Sequence, residues 1–150
     1  MARPPRLDVI FERHADPVWF LTLNTASREP WLNDAVVHSA FQDFSKRGFE
    51  NGRATIGRYV LMPDHLHLFA RLHRDEVLGA WVKALKAVLA RATGTKAGHW
   101  QQGFFDHLLR KSESYAEKWD YVQMNPVRAR LVEQPEDWPF QGELYPIYFE

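Results

Sequence analysis

The sequence predicts an α+β fold, in which a ferredoxin-like β-α-β-β-α-β antiparallel sheet is followed by an additional C-terminal helix that carries a tyrosine. Strand-like and helix-like segments follow one another in that order along the chain. Residues 65–72 place an apolar side chain at every second position, as a half-buried strand does, and residues 78–92 repeat apolar side chains at helical spacing.

The first half of the chain contains two predicted strands with one helix between them. Residues 18–25 and 58–62 are rich in strand-forming side chains. Between them, Asn33 or Asp34 can cap a helix that Gly48 closes. The apolar side chains of this helix recur at helical spacing, at Val37, Ala40, Phe41 and Phe44.

A turn at Pro63 and Asp64 leads into the third predicted strand, residues 65–72. Because successive side chains point to opposite faces of a sheet, this strand has two different faces. The face predicted to pack against the two ferredoxin helices consists of Leu66, Leu68, Ala70 and Leu72. The face predicted to lie under the C-terminal helix consists of His65, His67 and Phe69.

The next predicted helix covers residues 78–92, with Asp75 as its cap and Gly94 at its end. A loop over residues 98–103 and a fourth strand over residues 104–110 follow.

The last predicted helix is capped by Ser112 or Ser114 and ends near Asn125, because Pro126 disfavours helical backbone at the residue before it. The core of the domain therefore covers about residues 17–126, and residues 127–150 are predicted to be an irregular tail packed on it.

Length and composition indicate one domain over residues 1–150. The absence of cysteine excludes disulfides, thiolate metal sites and a cysteine nucleophile. The sequence lacks an apolar run long enough for a membrane span, and Met1 to Arg6 lack the apolar stretch of a secretory signal. We therefore expect a cytoplasmic protein without a membrane partner.

Charge is balanced overall but uneven along the chain. The formal net charge is zero, with 19 basic and 19 acidic residues, which argues mildly against bulk electrostatic binding of nucleic acid. Between Lys83 and Lys111, however, six basic residues stand against one acidic residue. Such a segment can attract phosphates locally, and a solvated helix face would give the same pattern.

The two histidines of the third strand are candidate metal ligands. His65 and His67 are two residues apart, so both imidazoles point to the same side of the sheet and can bind one ion. Taken alone, such a pair is more often structural than metal-binding.

Tyr121 is a candidate nucleophile on the last helix. At about 100° per residue, the buried stripe of that helix is predicted to contain Tyr115, Trp119, Val122 and Pro126. Tyr121 lies away from this stripe, and Asn125, four residues later, lies at its edge. A phenol attacking a DNA phosphodiester with the help of a divalent ion would form a phosphotyrosine. Taken alone, a tyrosine at such a position is more often a surface residue without a chemical role.

At these positions the sequence resembles the single-tyrosine HUH transposases. Residues 59–67, YVLMPDHLH, resemble their Y-V-(I/L/M)-M-P-(N/D)-H-hydrophobic-H segment. Residues 121–128, YVQMNPVR, resemble the Y-I-x-x-N-P-V-(K/R) segment of the branch called REP-associated tyrosine transposases. Residues 100–110 resemble its W-Q…F-x-D-H-x-x-R segment, and residues 137–139 its D-W-P close.

The resemblance implies that His65 and His67 bind a metal, that Asn125 completes the site, and that Tyr121 is the nucleophile. It further implies Mg²⁺ or Mn²⁺ as cofactor and single-stranded DNA with palindromic hairpins as substrate. The ion would have mixed nitrogen and oxygen ligands, which suits Mn²⁺ better than Mg²⁺, and zinc stays open. Relatives act as monomers or as homodimers, and the sequence leaves both open.

Further candidates would contact the DNA. Basic residues that could bind its backbone are Arg110, Lys111, Arg128, Arg130, Lys83 and Lys86. Trp100, Phe104 and Phe105 could stack on unpaired bases, although we expect at least two of them in the core. His107 could assist proton transfer or make a structural hydrogen bond.

Two other functions stay open at this point. The protein could be a domesticated hairpin-binding protein of the same fold that does not cut DNA. It could also be a metal hydrolase in which water attacks and Tyr121 only orients the substrate. The complete set of His65, His67, Tyr121 and Asn125 favours cleavage over mere binding.

Overall fold

The computed structural model describes residues 16–94 and 99–149, so the predictions for Met1 to Arg6 and for Gly98 lie outside it. Its strands are β1 (Val18–Asn24), β2 (Ala54–Leu61), β3 (His65–Leu72), β4 (Phe105–Leu109) and β5 (Gln141–Glu143). Its helices are α1 (Ala35–Glu50), α2 (Leu78–Ala92), α3 (Ser112–Val122) and α4 (Asn125–Arg128), with 3-10 turns at Ala26–Arg28 and Pro135–Asp137.

The strands form one antiparallel sheet in the order β4-β1-β3-β2-β5. The first four strands have the order that the β-α-β-β-α-β pattern requires, which confirms the predicted ferredoxin-like α+β fold. The fifth strand was not predicted. It lies in the supposedly irregular tail and pairs with the edge of β2, beside the buried Trp138, whose indole N–H donates to the Leu61 carbonyl at 3.0 Å.

The two faces of β3 pack as predicted. Leu66, Leu68, Ala70 and Leu72 belong to the main core, together with side chains of α1 and α2. On the other face, Phe69 belongs to a second core with Trp119 and Val122 of α3. The histidines therefore lie on the α3 side of the sheet.

The helix caps correct several predictions. Asp34 caps α1, accepting from the backbone N–H groups of Val36 and Val37 at 2.8 and 3.2 Å. This helix passes Gly48 and ends at Glu50, because Gly52, with a φ of 70°, is the glycine that adopts the left-handed conformation after it.

The predicted side-chain caps of the other two long helices are wrong. Val77, and not Asp75, precedes α2, and Lys111 precedes α3, so Ser112 is already helical. Ser114, the alternative predicted cap, lies within the first turn of α3. Neither helix has a side-chain hydrogen bond at its first turn among the bonds of the described residues, so packing and not capping fixes where they begin.

Strand β2 begins at Ala54, four residues earlier than predicted, because a bulge between Ile56 and Tyr59 interrupts its pattern. Gly57 lies in this bulge. A methyl group at Gly57 would collide with the Tyr115 hydroxyl and come within 2.9 Å of Ile147 Cδ1. Glycine is needed here because α3 approaches the strand closely through Tyr115.

Within the described residues, the helices are too short or too polar to cross a lipid bilayer.

Candidate active site

The two histidines lie side by side on β3, as the alternation of the strand requires. Their ring centroids are 4.8 Å apart, and the ring planes are nearly perpendicular, at 79°. The side chain of His65 is 17% exposed. Two rings at this separation can each direct one nitrogen to a single ion.

His65 is held by a chain of polar contacts. Its Nδ1 lies 2.8 Å from Asp64 Oδ1, and the other oxygen of that carboxylate accepts from Arg28 Nε at 2.9 Å. Arg28 also donates to Asn24 Oδ1 at 3.0 Å. With the carboxylate accepting from Nδ1–H, the Nε2 atom of His65 keeps its lone pair for a ligand.

The charge of Asp64 is maintained by these partners. Burial would raise the pKa of its carboxyl group, but the hydrogen bond and charge of His65, with Arg28, bring the pKa below its usual value. An ionised Asp64 is the state that can orient the imidazole.

His67 is held by two residues of β1. Its Nδ1 lies 2.9 Å from Thr22 Oγ1, and its ring stacks on Phe20 with centroids 5.3 Å apart and planes inclined by 16°. Burial, and then the charges of His65, Arg128 and Lys118, lower the pKa of His67 to about 3. The ring is therefore neutral at physiological pH, which is the form that binds metals.

Tyr121 lies at the end of α3 and is 67% exposed, as predicted for a residue outside the buried stripe. Of that stripe, Trp119, Val122 and Pro126 are buried and Tyr115 is half-buried, as predicted. One helical turn before Tyr121, Lys118 places its Nζ 5.3 Å from the ring centroid of Phe20, which stacks on His67. The C-terminal turn of α3 therefore adjoins the histidine pair.

Asn125 does not share a helix with Tyr121, which corrects the predicted helix end. Helix α3 ends at Val122 and a separate one-turn helix begins at Asn125. The reason is Pro126, which cannot donate to the carbonyl of Val122 and would clash with it in a continuous helix. Proline is tolerated in the first turn of a new helix, where it is found here.

Arg128 connects the two sides of this break. Its guanidinium carbon lies 4.1 Å from the ring centroid of Tyr121, and its Nη2 donates to Asn125 Oδ1. The phenol, the amide and the guanidinium thus form one cluster, and the charge of Arg128 is felt at His67. The hydrogen bond from Arg128 uses one lone pair of the Asn125 oxygen, and the second lone pair could bind an ion.

The other basic candidates lie elsewhere. Arg110 and Lys111 are exposed at the start of α3, about 15 Å from Tyr121 along a helix of that length. Arg130 is exposed just after α4. Lys83 and Lys86 are on α2, which covers the opposite face of the sheet, and Lys86 donates to the Gln101 and Gly103 carbonyls at 3.1 and 2.6 Å.

Several residues around the histidines are not predicted from the sequence. Thr22, Phe20 and Asn24 stand opposite His67, Phe69 and His65 in the β1–β3 register, and Arg28 follows in the next turn. A single sequence does not give this register. Asp64 directly precedes His65, and this adjacency is the one feature of the sequence that could have indicated a partner for the histidine.

Among residues 16–94 and 99–149, no group of three or more histidine or acidic side chains is placed to hold a metal ion. A metal bound by the two imidazoles would therefore take its remaining ligands from neutral oxygen donors, from water or from a substrate. Asp64, the nearest carboxylate in the bonded network, is already used by His65 and Arg28.

Comparisons with known proteins agree with this architecture. The sequence matches the family model of IS200-like transposases over residues 20–123. The REP-associated tyrosine transposase of Escherichia coli K12 is 30% identical over 142 residues, which cover 86% of this chain and 82% of the relative.

Solved structures show the same fold. The structure of a REP-associated tyrosine transposase bound to a REP hairpin has a TM-score of 0.70 and 26% identity, and the match covers 100% of this chain and 92% of that one. A crystal structure from Deinococcus radiodurans has a TM-score of 0.53 at 20% identity, covering 82% and 95% of the two chains.

The chain therefore belongs to the IS200-like transposase family. Within this family it belongs to the branch of REP-associated tyrosine transposases, with which it shares its motifs, its sequence and its fold.

Proposed function

We propose that this protein cleaves and rejoins hairpin-containing single-stranded DNA through a 5′-phosphotyrosine intermediate at Tyr121, in a metal-dependent reaction. One observation carries the proposal. The Nδ1 atoms of His65 and His67 contact Asp64 and Thr22 on the face of the sheet that α3, the helix of Tyr121, covers. With Nδ1–H donating to each of these oxygens, both Nε2 lone pairs would be free for a ligand.

The residues fit a divalent cation. His65 and His67 would provide two neutral nitrogen ligands, and the Asn125 oxygen would provide a third. This mixed set leaves positions for phosphate oxygens and suits Mn²⁺ or Mg²⁺. When bound, the ion would polarise the scissile phosphate and offset the negative charge that develops on it.

Tyr121 performs the covalent step. Its phenolic oxygen loses its proton and forms a bond to phosphorus, and the bond from phosphorus to the 3′ oxygen breaks. That oxygen takes up a proton to become a 3′-hydroxyl, so one proton is lost and one is gained. The 5′ end stays on the tyrosine as a phosphodiester. Attack by another 3′-hydroxyl reverses the sequence and releases the phenol, so strands can be rejoined without another energy source.

Arg128 supplies fixed positive charge to the same step. A guanidinium is planar, always charged and able to donate two hydrogen bonds to a phosphate. Since it lies on the ring of Tyr121, it can hold a phosphate against the attacking oxygen.

The proposed substrate follows from the relatives. A structural relative that covers the whole chain is bound to a REP hairpin, and we propose the same class of DNA for this protein.

A covalent adduct tests the proposal. The full chain is incubated with Mn²⁺ and hairpin oligonucleotides that carry single-stranded flanks, and the products are separated on denaturing gels. We expect an adduct with the wild type, none with Tyr121→Phe, and hairpin binding in both. Tyr148→Phe, at another exposed tyrosine, should form the adduct normally. Binding without any adduct would support the non-cleaving alternative, and free product without an adduct would support the hydrolase.

A further inference from the structure

Phe105 is an exposed aromatic side chain close to the candidate active site. It opens β4, at the edge of the sheet, and is 65% exposed. In the sheet it stands opposite Thr22, and Thr22 stands opposite His67 on the next strand. Directly opposed residues share a face, so Phe105, Thr22 and His67 form one row across three strands on the α3 side.

The structure distinguishes Phe105 from the two neighbouring aromatics. Phe104 packs against the main core on the opposite face of the sheet. Trp100 packs there as well, edge-on to Trp31 at 4.9 Å, and its indole N–H donates to the Lys86 carbonyl at 2.9 Å. Phe104 and Trp100 thus pack against the interior, whereas the side chain of Phe105 is exposed.

The surroundings of Phe105 are basic and aromatic. Across the sheet from Phe20, His107 is exposed on the same face as Phe105. Lys118 lies over the Phe20 ring, and Arg128 covers Tyr121. Proteins that bind single-stranded nucleic acid combine such cations with aromatic rings on which unpaired bases stack. A single exposed phenylalanine is ordinary, but one in the row of His67 is placed to meet the substrate.

We propose that Phe105 is a stacking platform for an unpaired base next to the cleaved phosphate. This inference rests on the proposed function. Neighbouring strands are about 4.8 Å apart, so the backbone of Phe105 is about 10 Å from that of His67. A strand whose phosphate lies at the histidines would therefore bring an adjacent base over the Phe105 ring.

The test uses the full chain with Tyr121→Phe, which blocks cleavage, and a hairpin whose unpaired flanking bases are replaced one at a time by fluorescent 2-aminopurine. We expect binding to quench the fluorescence at one flanking position. Phe105→Ala should relieve the quenching and weaken binding of the flanked hairpin roughly 5- to 150-fold, the range typical of losing one stacked base. Phe105→Trp should keep both properties.

Two controls separate stacking from other roles. A hairpin without unpaired flanks should bind Phe105→Ala as tightly as the parent protein. Phe49→Ala, at an exposed aromatic on α1 on the opposite side of the sheet, should not change quenching or affinity. Equal weakening of the flankless and flanked hairpins, or unchanged quenching in Phe105→Ala, would overturn the stacking role.

The outcome also separates this inference from the proposed function. If the wild type forms the covalent adduct and Phe105→Ala binds normally, only the stacking role is wrong. If the wild type forms no adduct and the Tyr121→Phe protein binds no flanked hairpin, the proposed function and the stacking role are both wrong.

Discussion

At the scale of residues, the Nδ1 atom of each histidine in the pair has a hydrogen-bond partner. Asp64 and Thr22 each occupy an Nδ1 atom and so set the orientation of both rings. The segment that supplies Arg28 is strained, because Ser27 and Arg28 have φ values of 55° and 56° without being glycines. Left-handed backbone of this kind costs about 1–3 kcal/mol per residue and persists where contacts such as the Arg28–Asp64 pair hold it.

The orienting role of Asp64 predicts an effect on metal affinity. Asp64→Asn keeps the shape of the side chain but removes the charge that favours Nδ1–H on His65. We expect the affinity for Mn²⁺, titrated by its electron paramagnetic resonance signal, to fall about 10- to 100-fold, as is typical when a partner of a metal-binding histidine is lost.

The control for this substitution is Asp43→Asn, an exposed carboxylate on α1. It should leave Mn²⁺ affinity unchanged. Unaltered affinity in Asp64→Asn would show that the carboxylate does not orient a ligand.

At the scale of elements, Tyr115 fixes α3 to the bulge of β2. Its hydroxyl accepts from the Arg58 backbone N–H at 2.9 Å, beside Gly57, and its ring packs on Phe69 with centroids 4.4 Å apart. Burial raises the pKa of Tyr115 to about 12. The position of Tyr121 on the sheet therefore depends on a phenol that must stay neutral.

This contact predicts an alkaline loss of stability. The pKa of Tyr115 is higher in the folded than in the unfolded chain. The stabilisation that comes from the neutral, buried phenol is therefore complete below about pH 10 and is lost as the pH rises towards 12. At pH 8, Tyr115→Phe should be less stable by about 1 kcal/mol, through the lost hydrogen bond. Urea unfolding should show that the difference in the free energy of unfolding between wild type and Tyr115→Phe is smaller at pH 11 than at pH 8.

Tyr148→Phe is the matched control, since that tyrosine is 60% exposed, and it should leave the pH dependence unchanged. A gap between wild type and Tyr115→Phe that stays constant from pH 8 to pH 11 would contradict the buried, neutral state of Tyr115.

The long strands and helices are predicted from the sequence, whereas contacts that depend on how the strands pair are not. The alternation in β3 predicted which side chains face the two helices and which face α3, and both were confirmed. Strand β5 was missed because three residues that include Gly142 carry no strand pattern of their own. Thr22 reaches His67 through the pairing of β1 with β3, and Arg28 reaches Asp64 from the turn after β1. A single sequence does not encode either contact.

For the whole molecule, the balance of charge limits how DNA can be held. The net charge is zero, so affinity must come from a few local cations such as Arg128 and Lys118. Helix α2, with Lys83, covers the face of the sheet away from the histidines.

The charge distribution predicts a shallow salt dependence. If three or four phosphates are neutralised, the logarithm of the affinity for single-stranded flanks should fall with the logarithm of KCl concentration with a slope of about −2 to −3. Arg128→Ala should make that slope shallower, and Lys83→Ala should leave it unchanged. A slope steeper than about −5, or an equal effect of both variants, would mean that DNA covers more of the surface.

Mass spectrometry of the trapped adduct tests most directly whether the DNA becomes covalently linked to Tyr121. The wild-type protein is reacted with a hairpin oligonucleotide and Mn²⁺, digested with protease and nuclease, and searched for a nucleotide linked through a 5′ phosphate. We predict the modification on the peptide that contains Tyr121, and on that tyrosine rather than on Tyr115. A nucleotide found on another residue, or cleaved DNA without any modified peptide, would contradict the account.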